Sequence, residues 1–97
     1  MNTLCAALGL LCHLCVNGHP AHRAPTTYAG LPPIPGYQRD HRIPRCLGGA
    51  DSRENVWYQP LPEAHRKDAL ERQACEAYCR GALSLDQARD LIRKEFP

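Results

Sequence analysis

The chain holds 97 residues with six cysteines and a formal net charge of +2. That length fits one domain with a modest core, and so small a charge is not the footprint of a dedicated nucleic-acid binder. Six cysteines in so short a chain indicate disulfide staples if the protein is exported, and a metal site if it stays in the cytosol.

Residues 4–16, LCAALGLLCHLCV, form an apolar run interrupted only by His13. The run has the length of a signal-peptide core and is too short to span a membrane. No Lys or Arg precedes it, so an apolar helix packed on the core is an equal reading. Secretion or a periplasmic location and a cytoplasmic, phage-encoded origin both stay open. Residues 1–16 are set apart as an apolar N-terminal segment. Residues 17–36 contain five of the nine prolines and three of the seven glycines. Proline removes donors and blocks helix, so this stretch reads as an irregular Pro/Gly-rich arm.

Residues 37–97 form the main unit. YQRDHRIP, residues 37–44, reads as a short extended segment that ends at Pro44. LGGADSREN is a loop in which Gly48 and Gly49 allow positive φ. VWYQ, residues 56–59, is aromatic and β-branched and reads as a second strand. Pro62 suits the first turn of a helix, in which Leu70, Ala74, Ala77 and Tyr78 recur at helical spacing. Gly81 falls where a C-terminal cap belongs. Ser84 and Gln87 form a capping-box signature for a last helix, which puts Leu85, Ala88, Leu91 and Ile92 on one face. The class is α+β: arm, strand, loop, strand, helix, helix.

The cysteines add constraints. Cys12-x-x-Cys15 reads as half of a zinc site or as a redox pair, with no second pair to complete it. Cys75 and Cys79 lie one turn apart on a helix, where a bridge between them strains the backbone. Each therefore reaches a different partner, with Cys15 and Cys46 the candidates.

The chemistry concentrates in QRDHRIPRCLGGADSREN, residues 38–55. Asp40 and His41 are adjacent, so on a strand they point to opposite faces. Asn55 follows His41 by fourteen residues and His65 lies early in the next helix. His65 follows Asn55 by ten positions, with two prolines between them. Hydrolysis of a phosphodiester needs a base for water and positive charge at the phosphoryl and leaving oxygens. His41 suits the first task because imidazole titrates near neutrality. Asp40 and His65 offer oxygen and imidazole ligands for a divalent cation. Asn55 is suited to bracing the loop backbone or orienting the His41 ring. Arg42, Arg45, Arg66 and Lys67 flank these positions, as phosphate contacts or as a solvated face. Trp57 and Tyr58 read as core packing or as a base-stacking surface.

DHRIPRCLGG, then ENVW, then AHRKD resembles the HNH endonuclease family, the ββα-metal or His-Me finger nucleases. The similarity is strongest over residues 37–71 and extends more loosely over 15–92. It is nearest to small bacterial and phage members that carry Asn, Leu or Val, Trp, Gln-Pro, Lys-Asp and Glu. The resemblance implies a ββα-metal core with an irregular arm and C-terminal helices. It also implies a metal-dependent deoxyribonuclease of weak sequence specificity, leaving 5′-phosphate and 3′-hydroxyl ends. On that basis His41 is the general base, Asn55 its orienting partner, and Asp40 and His65 ligands of one divalent ion. Mg2+, Mn2+, Zn2+ and Ni2+ all stay open as that ion. DNA is the partner, contacted by Arg42, Arg45, Arg66 and Lys67. Two rivals remain: an inactive DNA- or zinc-binding module of the same fold, and a disulfide-stapled secreted interaction protein.

Overall fold

The computed structural model describes residues 12–97. Much of the apolar run over 4–16 therefore lies outside the described residues. A first hairpin pairs β1 (Cys15–Val16) with β2 (His19–Pro20). Its turn is Asn17-Gly18, with φ of 52° and 78°. Both central residues of a type I′ turn need positive φ, and Asn-Gly supplies them at least cost. The arm is therefore not irregular throughout, as its prolines suggest: it opens with this hairpin and holds a short 3-10 turn at Tyr28–Gly30.

A second antiparallel pair joins β3 (Tyr37–His41) to β4 (Val56–Pro60). The register sets Gln38 opposite Gln59 and Asp40 opposite Trp57 on one face. Tyr37, Arg39 and His41 lie opposite Pro60, Tyr58 and Val56 on the other. Helix α1 (Leu61–Cys79) follows without a linker, with Pro62 at its start, and buries Ala64, Lys67, Ala74, Cys75 and Ala77. Helix α2 (Leu85–Glu95) begins at a complete capping box: Ser84 accepts from the Gln87 N–H and Gln87 accepts from the Ser84 N–H. The molecule is thus a small α+β unit with two short hairpins and two helices among the described residues. No described helix is long and apolar enough to cross a membrane.

The two faces of the β3–β4 hairpin have different covers. α1 lies on the Asp40–Gln59 face, where Gln59 and Lys67 are both fully buried. The Pro-rich arm lies on the other face. There Tyr58 Oη donates to the Pro32 carbonyl at 2.5 Å and Arg39 Nη1 to the Leu31 carbonyl at 2.9 Å. The apolar core sits to one side of the hairpin, where Leu47, Ala74, Cys75, Ala88 and Ile92 pack together. Of the residues read onto the inner face of α2, Ala88 and Ile92 are buried and Leu85 packs against them, whereas Leu91 is 40% exposed.

Two disulfides tie these parts to α1. Cys15 bonds Cys79, joining the first hairpin to the end of the helix; Cys46 bonds Cys75, joining the β3–β4 loop to the turn before that end. Cα separations of 5.5 and 5.9 Å are ordinary for the bond. With its sulfur bonded to Cys79, Cys15 is not half of a zinc site. The loops closed span 64 and 29 residues. The chain-entropy model gives such bridges about 4.3 and 3.6 kcal/mol of stability respectively. Peptide mapping without reductant should return the 15–79 and 46–75 pairs. A Cys46→Ala/Cys75→Ala double variant should unfold with about 2–4 kcal/mol less stability in urea.

Candidate functional site

The two ends of the loop between β3 and β4 are braced by the Asn55 side chain. Asn55 Oδ1 accepts the Ile43 N–H at 3.0 Å, and Asn55 Nδ2 donates to the carbonyls of Ile43 at 2.9 Å and Ala50 at 2.8 Å. Of the two tasks that suit Asn55, the structure shows the bracing one: its amide bonds the loop backbone and not the His41 ring. The glycines divide their work in a way the sequence does not show. Gly48, at φ 82°, ends the short turn Arg45–Leu47. Gly49 is not at positive φ; a Cβ there would collide with the Ile43 carbonyl that Asn55 also binds, and would lie 2.9 Å from Asn55 Nδ2.

Asp40 and His41 part to opposite sides of the hairpin, as adjacent strand residues must. On the α1 side, Lys67 is fully buried. Its Nζ donates to Asp40 Oδ2 at 2.8 Å, to the His41 carbonyl at 2.7 Å and to Glu71 Oε1. An ammonium has three N–H bonds, so all of them are used. Asp40, Asp68 and Glu71 each bring a carboxylate oxygen within 4.8 Å of the others, a group able to hold a metal ion. The ammonium uses one oxygen each of Asp40 and Glu71 and leaves the other. Burial lifts the Glu71 carboxyl to about 7; Lys67 opposes that shift, and the charges of Asp40 and Asp68 add to it.

On the arm side, the His41 ring is nearly buried and lies against Tyr28, with ring centroids 5.6 Å apart. Its Nε2 is 3.0 Å from Asp51 Oδ1 and 3.3 Å from Thr26 Oγ1. Asp51 Oδ2 accepts the Thr27 N–H at 2.8 Å and the Thr27 hydroxyl at 2.9 Å. The hydrogen bond to His41, then those from Thr27 and Thr26, hold the Asp51 carboxyl well below the usual carboxylate range. Tyr28 and Ala29 both occupy the left-handed region, at φ 51° and 54°. Non-glycine residues remain there only when held; here the Tyr28 N–H is taken by Thr26 Oγ1 at 3.0 Å and the Gly30 N–H by the Thr27 carbonyl at 3.0 Å. His41, Asp40, Asp68 and Glu71 line one cleft of about 300 Å³, together with Thr26, Tyr28 and Arg45.

The other candidates are scattered. His65 is exposed on α1 and is not a member of the carboxylate group. It follows the buried Ala64 by one residue, a rotation of about 100° away from the sheet. Lys67, read as a phosphate contact, is enclosed by three acceptors and has no surface to present. Arg42 is exposed, with its guanidinium 3.8 Å above the Trp57 ring. Arg45 donates to the Ala24 carbonyl at 2.6 Å, and Arg66 is exposed on α1. Asp51, Asp68 and Glu71 are the site residues sequence reasoning missed. Asp68 and Glu71 had a signal, since they follow Lys67 at positions +1 and +4, next to the face that Ala64 fixes toward the sheet. Asp51 had none, because its partners come from the distant arm. Compared with known proteins, the chain matches no family model, no curated protein and no solved structure.

Replacing Asn55 by Ala leaves two carbonyls and one N–H of the loop without partners. The expected loss is about 1–3 kcal/mol in urea unfolding. Glu71 gives a pH dependence. Its carboxyl keeps a proton in the folded chain up to about 7, against an ordinary 4.5. Unfolding therefore releases a proton across that interval, and stability falls as pH rises through it, levelling above about 7. Urea unfolding at pH 5 and pH 8 should differ by something on the order of 1–3 kcal/mol, and Glu71→Gln should remove most of the difference.

Proposed function

We propose that the chain is a metal-dependent phosphodiesterase of the HNH type, acting on DNA. The observation that carries this reading is a single cleft lined by both His41 and the carboxylate group of Asp40, Asp68 and Glu71. The donor set is all oxygen, which fits a hard divalent cation such as Mg2+ or Mn2+ better than a soft one. The ligand pair proposed from the sequence changes accordingly, with Asp68 and Glu71 taking the place of His65 beside Asp40. A cation held there supplies positive charge for the phosphoryl and leaving oxygens.

The chain's own residues do the rest. His41 takes a proton from the attacking water as the new O–P bond forms. The bond from phosphorus to the 3′ oxygen breaks, and that oxygen takes a proton from solvent. Lys67 holds Asp40 and the His41 carbonyl in place, so helix and strand keep a fixed separation. Asn55 fixes the loop that leads out of His41. Arg42 and Arg66, both exposed, are suited to phosphate contacts that position the substrate without reading its sequence.

One observation favours a second reading, a binding module of the same form without hydrolysis. The single charge of the Lys67 ammonium is shared between Asp40 and Glu71, which lessens their pull on a cation. Plasmid nicking with added Mg2+ or Mn2+, and with EDTA, separates the two. The expected result is metal-dependent nicking that falls about 10²–10⁴-fold in His41→Ala. Asp68→Asn, which leaves Lys67 fully paired, should raise the metal concentration needed for half-maximal rate. Metal binding by calorimetry without any nicking selects the binding module instead, and His41→Ala cutting as fast as the parent removes the mechanism.

A further inference from the structure

We infer that Asp51 is the positioning residue for His41: its carboxylate accepts the Nε2–H of the ring and so leaves Nδ1 as the one nitrogen free to take a proton. This rests on the reading of His41 as the proton acceptor, but it concerns a contact that can be measured without turnover.

The geometry is specific. Asp51 Oδ1 lies 3.0 Å from His41 Nε2, and the carboxylate's other oxygen is fixed by two donors of Thr27, at 2.8 and 2.9 Å. The carboxylate is thus pinned from the arm while it holds a ring carried by β3. An ionised carboxylate has no proton to give, so the proton in the contact must sit on Nε2 of a neutral ring. Those same donors, with the imidazole, keep Asp51 ionised. Thr26 Oγ1, 3.3 Å from Nε2, is a second acceptor for the same proton. Nδ1 makes no hydrogen bond to the described residues, while Tyr28 covers a face of the ring. Rotation of the imidazole is therefore opposed at Nε2 and at the ring face, and the tautomer is set by charge. Asn55, the residue first suited to this task, is occupied by the loop backbone.

Asp51→Asn is the informative variant. An amide matches the carboxylate in size but offers an NH2 group to Nε2, which favours the opposite tautomer. Two-bond 1H–15N spectra of 15N-His protein, taken at a pH where the ring is neutral, read the tautomer directly. The parent should show His41 as the Nε2–H form, and Asp51→Asn should move it toward Nδ1–H or a mixture. In plasmid nicking the variant should lose at least about tenfold in kcat with little change in KM. A parent ring in the Nδ1–H form overturns the inference, whether or not the variant folds. So does an Asp51→Asn protein with the parent's tautomer and kcat. If the parent nicks no DNA but shows the Nε2–H form, and the variant shifts it, the positioning role stands and the nuclease reading fails alone.

Discussion

A single buried ammonium organises this molecule. Lys67 lies inside the angle between α1 and β3, with one acceptor from the helix and two from the strand. Burying a charge without partners costs several kcal/mol, so the arrangement is stable only when all three acceptors converge. That requirement fixes the helix against the strand at Asp40 and at the His41 carbonyl. The His41 side chain is thereby sent to the opposite face, away from the ammonium and toward the arm. The separation of the carboxylate group from the imidazole follows from where one lysine is satisfied. Removing Asp40 leaves a buried ammonium one acceptor short, so a variant there reports first on folding.

The arm supplies what the strand and helix lack. A two-stranded sheet has one face on α1 and would leave the other in water. Here the segment from Thr26 to Pro32 lies over that second face, using backbone carbonyls to receive Arg39 and Tyr58 and side chains to hold His41 and Asp51. Prolines serve this layout. A segment that lies against a hairpin without adding a strand needs few free N–H groups, and proline has none.

The parts legible in the sequence were those set by local periodicity. The strands, the start of α1 and the capping box of α2 follow from alternation, from Pro62 and from the Ser84–Gln87 pair, all within a few residues of the element they define. The Asn17-Gly18 turn was equally local but was hidden by the prolines around it. The site was less legible, for reasons of distance and charge. Lys67 has the residue type of a solvated helix face, because lysine is almost never fully buried unless paired. Its partners lie 27 residues back on β3 and one turn ahead on its own helix. His65 drew attention by its type, whereas its position beside Ala64 turns it outward. Asp51 reads as an ordinary turn residue, and only the fold brings Thr27 and His41 to it. Gly49 shows the same limit: the pair of glycines suggested backbone freedom at both, yet one of them is required for close approach to a carbonyl.

The two bridges make the molecule sensitive to the redox state of its surroundings. Both end on α1, at Cys75 and Cys79, and run to different parts of the chain, the site loop and the first hairpin. Where thiols are kept reduced, as by a glutathione pool, such bonds are not maintained. The four cysteines of these bridges are then separate thiols, and the loop after His41 meets α1 only through packing, as of Leu47 against Ala74. Where the surroundings oxidise thiols, the loop and the helix become one covalent frame. The stability of that frame therefore depends on whether the surroundings let the two bridges form.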